Sequence, residues 1–384
     1  MKKAIGMYGS TIPSAPHFSA DLRWRTGGYG VPDPVFLFEI EGKTYLMLSS
    51  LEVERGRTEA RVDEIVPLEA YAEQSKRESL PAAALFLREQ GITHLFVPDG
   101  FPLFYGRELE RVCKVETVQN SLYDARMKKN DFEIQEIEKA QGAVERAVDL
   151  GLQYLRACEI DGERLLHPEQ QTAVTSADLR KVIDDSLYAS GYLGHESIVS
   201  CGPQSADPHQ KGSGPLVPYQ PMVLDIFPQS RDTLYFSDQT RTVFKGAPSE
   251  KLKRMYAAVL GAQERAILAI RPGTPVRELE TLVRDYFEQQ GYTTTRSSSP
   301  VAGFIHSLGH GVGVEIHERP HVSERSDEIL EAGNVITIEP GLYYHEESDV
   351  WPRGGIRIED IILVTERGYR NLTRFPKKFE EVVL

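Results

Sequence analysis

Four acidic side chains lie in apolar, β-prone stretches of the sequence, where a buried core residue would be expected. They occur in MVLDIF, TLYFSDQTRTVF, NVITIEPG and GGIRIED, as Asp225, Asp238, Glu339 and Glu359. A buried carboxylate is costly unless a cation or hydrogen-bond donors neutralise its charge. Divalent cations bind carboxylate oxygens and the occasional imidazole, so four such acids favour a pair of metal ions over four unrelated exceptions.

Three of the ten histidines fall within twelve residues, in the segment HSLGHGVGVEIHERP. His306 and His310 have the spacing of the helical HExxH zinc motif, but no glutamate follows His306 and the interspersed glycines disfavour a helix. We therefore predict a strand or loop here, with a strand placed at about 312–316 in the order of elements, in which the glycines let backbone and ligand approach closely. The clustering makes His306, His310 and His317 candidate site residues, with the glycine-flanked His310 as a metal ligand.

Each candidate also has a structural interpretation that the sequence leaves open. Asp225 could cap a helix or form a salt bridge, and a histidine is more often a structural residue than a ligand. Alternation along GGIRIED places Arg357 and Glu359 on one face of a strand. Either glutamate could therefore simply pair with that arginine.

Helices and strands follow an order that recurs along residues 123–384. Two helices precede short strands, and the same arrangement then appears again, with Ser249 and Thr274 as the predicted N-caps of the second helix pair. This order predicts a pseudo-twofold α+β domain whose antiparallel strands form one core flanked by helices. The predicted segments are helices at 131–157, about 169–190, 249–270 and 274–291, and strands at 198–202, 222–227, 233–244, about 312–316, 334–339 and 355–364.

Residues 1–122 are predicted to form a smaller α/β domain. Two short apolar runs around EGK indicate a hairpin. The segment SLPAAALFLREQG indicates a helix capped by Ser79 and ended by Gly91. Because the sequence changes character just before the long amphipathic helix, we place the two domains at 1–122 and 123–384.

Four segments, DIFPQSRDTLYFSDQTRT, HSLGHGVGVEIHERP, TIEPG and GGIRIED, resemble the signature blocks of the pita-bread metallopeptidases. That family includes methionine aminopeptidase, aminopeptidase P and prolidase, and the resemblance covers about residues 123–384. It implies a pita-bread catalytic domain that binds two divalent metal ions, Mn²⁺, Co²⁺ or Zn²⁺. The ligands implied by the matching positions are Asp225, Asp238, His310, Glu339 and Glu359, with Asp238 and Glu359 bridging the ions.

The sequence departs from the family pattern around the first ligand. Phe227 stands where the family has a glycine, and Asp225 and Asp238 lie two positions further apart than is usual. Because an even number of extra residues preserves the face that each strand presents, we expect a longer hairpin turn and keep Asp225 as a ligand.

The additional N-terminal domain resembles the creatinase-like domain of aminopeptidase P and prolidase, which implies the Xaa-Pro branch of the family. In that branch a hydroxide bridging the metal ions attacks the scissile carbonyl, and Glu339 would transfer its proton to the prolyl nitrogen. The resemblance assigns His317 and His209 to the developing oxyanion, and His306 and Arg357 to the proline side. Arg357 could instead only orient a carboxylate, and His209 could be an ordinary loop residue. The sequence does not separate an aminopeptidase from a dipeptidase.

Charge and cysteine content exclude several other classes of protein. With 44 basic and 57 acidic side chains the net charge is −13, which argues against binding to nucleic acid or to anionic membranes. Cys113, Cys158 and Cys201 form no CxxC pair and are typical of reduced cytosolic thiols. No segment is apolar enough for a signal peptide or a membrane span. We expect a cytoplasmic enzyme that acts on proline-containing peptides, and the resemblance implies a homodimer.

Two other functions are compatible with the same scaffold. One is a metal-free pseudopeptidase that serves as a binding module, and the other is a different hydrolase. The intact set of ligands argues against the binding module. The other hydrolase is disfavoured, but the altered segment around Asp225 leaves it open.

Overall fold

The computed structural model of the chain describes residues 2–75, 78–119, 124–297 and 300–384. The chain forms two compact units, Met1–Arg126 and Met127–Leu384. The domain boundary predicted after residue 122 falls outside the described residues.

The N-terminal unit is built on a six-stranded mixed sheet. Its strands are β1 (Lys2–Gly9), β2 (Val35–Ile40), β3 (Lys43–Leu48), β4 (Glu64–Pro67), β5 (Ile92–Pro98) and β6 (Lys114–Val118). Their order in the sheet is β4-β3-β2-β1-β5-β6; β1, β2 and β3 pair antiparallel, and β4, β5 and β6 join parallel. The helices are α1 (Ala20–Arg25), α2 (Val53–Glu59), α3 (Ala72–Ser75), α4 (Ser79–Glu89) and α5 (Leu103–Leu109).

The predicted hairpin is confirmed by the antiparallel pairing of β2 with β3. Successive residues of β2 face opposite sides of the sheet, so Phe36 enters one hydrophobic core and Leu37 the other. Helix α4 packs on the first of these cores. The prediction that Ser79 caps this helix is wrong, because the extended residue Glu78 precedes the helix and Ser79 is already its first residue. Gly91 follows the helix with a positive φ of 68°, as a terminating glycine should.

The C-terminal unit contains two long helix pairs and fourteen strands within the described residues. Its helices are α6 (Asp131–Ala157), α7 (Ser176–Ala189), α8 (Glu250–Ala269), α9 (Val276–Gln289) and α10 (Phe379–Val382). Its first strands are β7 (Glu159–Asp161), β8 (Arg164–Leu166), β9 (Tyr192–Gly194), β10 (Ile198–Cys201), β11 (Met222–Ile226), β12 (Pro228–Ser230) and β13 (Gln239–Val243). The remaining strands are β14 (Gly309–Gly311), β15 (Glu318–Val322), β16 (Val335–Ile338), β17 (Gly341–Tyr344), β18 (Gly354–Arg357), β19 (Asp360–Thr365) and β20 (Gly368–Asn371).

The predicted helices of this unit are confirmed, with changes at two N-termini. Helix α6 has the predicted bounds, and α8 begins after Ser249, whose hydroxyl accepts from the third residue of the helix. Helix α7 begins at 176 instead of about 169, because Thr175 forms a capping box there. Thr274 is not the cap of α9; its hydroxyl donates to the Ala269 carbonyl, and Pro275 occupies the cap position.

The antiparallel strands of this unit converge where the candidate ligands lie. Strands β10, β11 and β13 form one sheet, β15-β14-β16-β19-β20 form a second, and β17 pairs with β18. The backbone N–H of Glu359 donates to the carbonyl of Thr240 at 3.1 Å. This bond joins β13 of the first half to the segment between β18 and β19 of the second half.

Three predicted strands differ from the structure. The strand predicted at 312–316 is wrong, because a hydrogen bond from the N–H of Gly313 to the carbonyl of Glu315 turns the chain into a loop between β14 and β15. The strand predicted at 355–364 is interrupted at 358–359, and the one predicted at 233–244 begins only at Gln239.

The interior of the C-terminal unit is one continuous hydrophobic cluster to which all four long helices contribute. Cys113, Cys158 and Cys201 are buried and free. Among the helices of the described residues, none combines the length and the apolar character that crossing a membrane requires.

Candidate metal centre

All nine residues that the sequence singled out line one cavity of about 500 Å³ in the C-terminal unit. Asp225 lies on β11, Asp238 directly precedes β13, and His310 lies in the middle of β14. Glu339 directly follows β16, and Glu359 lies between β18 and β19. The other four residues are His209, His306, His317 and Arg357.

The centre of the cavity is a cluster of carboxylates around one imidazole. Asp238, His310 and Glu359 can each place a ligand atom within 4.8 Å of the others. Nε2 of His310 lies 3.3 Å from Oε1 of Glu339 and 3.6 Å from Oδ2 of Asp238. Its Nδ1 lies 3.1 Å from the carbonyl oxygen of Gly311, which can only accept, so Nδ1 carries a proton and Nε2 faces the carboxylates. Metal-binding histidines are commonly oriented by such a bond.

The electrostatics of the cluster reflect buried carboxylates crowded together. Burial, with the charge of Asp225, raises the pKa of Asp238 well above its ordinary value, and burial with the charge of Asp238 does the same for the pKa of Glu359. Burial alone would lower the pKa of His310, but its hydrogen bond to Glu339 raises that pKa to about 9. Burial would raise the pKa of Glu339, whereas His310 lowers it to about 2. A bound cation would relieve this crowding.

Asp225 is held by an arginine at the edge of the cluster. A terminal guanidinium nitrogen of Arg357 donates to Oδ2 of Asp225 at 2.6 Å, and the two side chains expose 4% and 14% of their surface. The sequence allowed a salt bridge from Arg357 to either glutamate. In the structure Arg357 pairs with Asp225 instead.

Tyr343 is a site residue that the sequence reasoning missed. Its hydroxyl accepts from Arg357 at 2.7 Å and lies 2.9 Å from Nε2 of His306. Since Nδ1 of His306 donates to the carbonyl of Ser307 at 2.8 Å, Nε2 is the acceptor and the tyrosine O–H is the donor. The signal for Tyr343 is its register: β17 pairs with β18 so that Gly341 faces Arg357, which puts the tyrosine two residues on along the same face.

The guanidinium of Arg357 is fully engaged by the protein. Its Nε donates to the hydroxyl of Thr240 at 3.2 Å, and its two terminal nitrogens donate to Tyr343 and Asp225. Both terminal nitrogens also lie 3.4 Å from the carbonyl of Pro208. Arg357 therefore fixes the aspartate carboxylate in place.

His317 and His209 approach the cluster from loops. The rings of His317 and His310 are nearly perpendicular, with centroids 4.4 Å apart. Burial and the charge of His310 lower the pKa of His317, which keeps its imidazole neutral. His209 is exposed, and its backbone N–H donates to the carboxylate of Asp207 at 3.0 Å.

One wall of the cavity is apolar. Ile198 lies opposite Asp225 in the pairing of β10 with β11, and Phe227 follows two residues after the aspartate. Both side chains line the cavity with Ile316. The sequence identified Phe227 only as a departure from the family pattern. It missed Ile198, because only the pairing of β10 with β11 places that residue opposite Asp225.

The donor set fits divalent cations. Oδ1 of Asp238 is buried and has no hydrogen-bond partner within the described ranges of the chain. Such an atom is costly to bury, and a cation would satisfy it. The surrounding donors are oxygens and one oriented imidazole, which suit Mn²⁺, Co²⁺ or Zn²⁺.

Metal binding should stabilise the fold. A ligand that binds only the folded chain adds about 2.7 kcal/mol of unfolding free energy at about 100 times its Kd. We therefore expect Tm to rise when Mn²⁺ is added to chelator-treated protein and to fall again with excess chelator, as followed by differential scanning fluorimetry. A Tm indifferent to both would contradict a metal centre here.

Known proteins resemble this chain over most of its length. The sequence profile of metallopeptidase family M24 matches residues 135–366. The Xaa-Pro dipeptidase of Pyrococcus furiosus is 34% identical over 268 residues, 70% of this chain and 69% of the relative. That of Pyrococcus horikoshii is 31% identical over 333 residues, 86% of this chain and 83% of the relative.

The solved Xaa-Pro dipeptidase from Bacillus anthracis matches with a TM-score of 0.79 and 27% identity, covering 100% of this chain and 95% of that one. The predicted pita-bread fold with a smaller N-terminal domain is confirmed.

Proposed function

This chain belongs to metallopeptidase family M24, and on that premise we propose that it hydrolyses the peptide bond between an N-terminal residue and a following proline. The observation that carries the proposal is the single cavity in which four carboxylates and His310 lie beside the hydrogen-bonded series His306, Tyr343 and Arg357. The relatives that are named Xaa-Pro dipeptidase support the same substrate class.

Two divalent metal ions, in our proposal Mn²⁺, bind at this centre. The residues that would hold them are Asp225, Asp238, His310, Glu339 and Glu359. Such ions, when bound, lower the pKa of water and polarise the scissile carbonyl. The protein contributes the positions of the ligands and the apolar wall of the cavity around them.

Glu339 is the proposed general base and acid. Its carboxylate is half-buried at the cavity, and its Oε1 is held 3.3 Å from both Nε2 of His310 and the hydroxyl of Thr337. A carboxylate fixed in this way can accept a proton from the attacking water and return it to the prolyl nitrogen as the bond breaks. The neutral ring of His317 would donate a hydrogen bond to the carbonyl oxygen as negative charge develops on it, with His209 as a second donor.

The proline side of the substrate would pack against His306. Proline has no N–H and presents a compact apolar ring. Its pocket therefore needs a surface for the ring to pack on and needs no hydrogen-bond acceptor for a backbone N–H. Both ring nitrogens of His306 are already engaged, by Ser307 and Tyr343, which leaves the face of the imidazole for that contact. Since the nitrogens of Arg357 are also engaged, we assign this arginine to positioning Asp225.

We further propose that the protein is a cytoplasmic homodimer. The free, buried cysteines are consistent with a reducing compartment. The proposal of a dimer rests on the family resemblance. Light scattering on the purified protein tests it, and a monomeric mass would contradict it.

A panel of short peptides tests the proposed substrate class. With added Mn²⁺ the protein should cleave Ala-Pro, Ala-Pro-Ala or both, and should leave Ala-Ala and Ala-Ala-Ala intact, as measured by release of free alanine. Cleavage of the dipeptide alone identifies a dipeptidase, and cleavage of the tripeptide identifies an aminopeptidase. Equal cleavage of the alanine controls, or no cleavage of any prolyl peptide, would contradict the proposal.

A further inference from the structure

The loop of residues 312–317 brings His317 to the cavity although it has no regular secondary structure. Two backbone bonds shape it: the N–H of Gly313 donates to the carbonyl of Glu315 at 3.1 Å, and the N–H of Phe236 donates to the carbonyl of Gly313 at 2.8 Å. These bonds fix the first part of the loop. The last part, next to His317, needs a further support.

That support is the carboxylate of Glu318, which turns back underneath the loop. Oε1 of Glu318 accepts from the backbone N–H of Glu315 at 3.0 Å. A Cβ atom at Gly313 would lie 2.5 Å from each oxygen of this carboxylate, so only glycine fits there. The carboxylate thus occupies the inside of the loop, against Gly313 and the backbone of Glu315.

The charge of this carboxylate is matched by a lysine from a distant part of the sequence. Nζ of Lys129 donates to Oε2 of Glu318 at 2.9 Å, and the two side chains expose only 1% and 5% of their surface. The lysine is itself anchored, because its backbone N–H donates to the carbonyl of Gly333 at 2.8 Å. Next to it, the Asn334 side chain donates to the carbonyl of Met127 at 2.9 Å.

We infer that Lys129 and Glu318 are positioning residues that hold the 312–317 loop so that His317 faces the reacting carbonyl; this rests on the proposed function for the role of His317. Within the described part of the chain, neither residue lines the cavity. Without this ion pair the side chain at position 318 loses the lysine that holds it beneath the loop, and the loop shifts with it. A displacement of about 1 Å at a catalytic group can lower the rate by about 10²-fold.

The test uses a double variant, Lys129→Met with Glu318→Gln, because it removes both charges of the buried pair together and is expected to fold. We expect kcat to fall by about 10²-fold with KM and metal content unchanged. In a His317→Ala background the same double change should lower kcat little further, because both changes act through one side chain. Lys129→Arg, which keeps the charge, should retain most of the wild-type kcat.

Lys128→Met is the matched control. Lys128 is the adjacent residue and also forms an ion pair, with Glu331, but both side chains of that pair are 52% exposed. This variant should match the wild type, since exposed pairs contribute little.

Hydrogen exchange of the 312–317 amides separates this inference from the proposed function. Exchange in the loop should be faster in the double variant whatever the substrate of the wild type proves to be. Unchanged exchange, an unchanged kcat, or an equally large loss of kcat on top of His317→Ala would overturn the inference. A wild type that cleaves no prolyl peptide would instead overturn the proposed function.

Discussion

Replacing Glu339 by glutamine should lower kcat for Xaa-Pro hydrolysis by about two to four orders of magnitude, the range expected when a general acid–base group is lost. Glutamine keeps the size of the side chain and an oxygen that can accept from Thr337. It removes the negative charge that lies 3.3 Å from Nε2 of His310 and the capacity to accept the proton of the attacking water. Steady-state kinetics with the best prolyl peptide give the ratio directly.

Metal content and a surface glutamate control this experiment. Since Glu339 is also a proposed ligand, bound Mn²⁺ must be measured on the same sample, and kcat should remain low when the metal is restored to saturation. Glu347→Gln removes a carboxylate that is 62% exposed and pairs with Lys251, and it should leave kcat unchanged. A Glu339→Gln variant with full metal and wild-type kcat would show that another group moves the proton.

Replacing Arg241 by methionine should lower the unfolding free energy by about 3–5 kcal/mol, the cost expected when one partner of a buried ion pair is removed. Arg241 is fully buried, and all five of its N–H groups donate. One terminal nitrogen reaches Oδ1 of Asp360 at 2.9 Å, in a pair whose side chains expose 0% and 1% of their surface. The remaining acceptors are the carbonyl oxygens of Thr240, Glu359, Phe375 and Pro376.

The same substitution should also weaken metal binding, because Arg241 bonds the backbone of the ligand Glu359. Arg370→Met is the matched control: Arg370 also pairs with a carboxylate at 2.6 Å, that of Glu138, but its side chain is 46% exposed. Urea unfolding of both variants checks the prediction, and the control should lose about 1 kcal/mol at most. Equal losses in the two variants would contradict the assigned role of the buried network.

Local patterns in the sequence were sufficient for the helices. The helix at 131–157 was predicted to the residue from its long apolar stripe, and in the structure Asn130 forms a capping box at its start. The cap of α8 at Ser249 followed from the same local chemistry. Thr274 could not be placed, because its hydroxyl is taken by a carbonyl at the end of α8, a contact between two helices that no local pattern encodes.

The sequence was sufficient to identify the residues that line the site, but not the hydrogen-bond and ion-pair partners of those residues. Acids within apolar strands and clustered histidines identified seven of the nine residues that line the cavity, and the family resemblance assigned site roles to His209 and Arg357. The pairing of Arg357 with Asp225 depends on strand register across 132 positions of the chain. Tyr343 was missed because an aromatic residue in an apolar strand is ordinarily part of a core, and only the pairing of β17 with β18 directs it to the arginine.

The loop of residues 312–317 shows a further limit of local reasoning. The glycines correctly indicated close backbone approach, but the strand predicted at about 312–316 placed Gly313 in regular structure. A carboxylate beneath the loop supports the chain there, and its lysine partner lies 189 positions away. Periodicity and propensity carry no information about such a pair.

The most direct test of the metal-dependent Xaa-Pro peptidase is the rate of cleavage of the best prolyl peptide by chelator-stripped protein as Mn²⁺ is added back. The stripped protein should cleave no peptide, and the rate should rise to a plateau as metal occupies the centre. Undiminished cleavage by stripped protein, or no cleavage at any Mn²⁺, Co²⁺ or Zn²⁺ concentration, would contradict it.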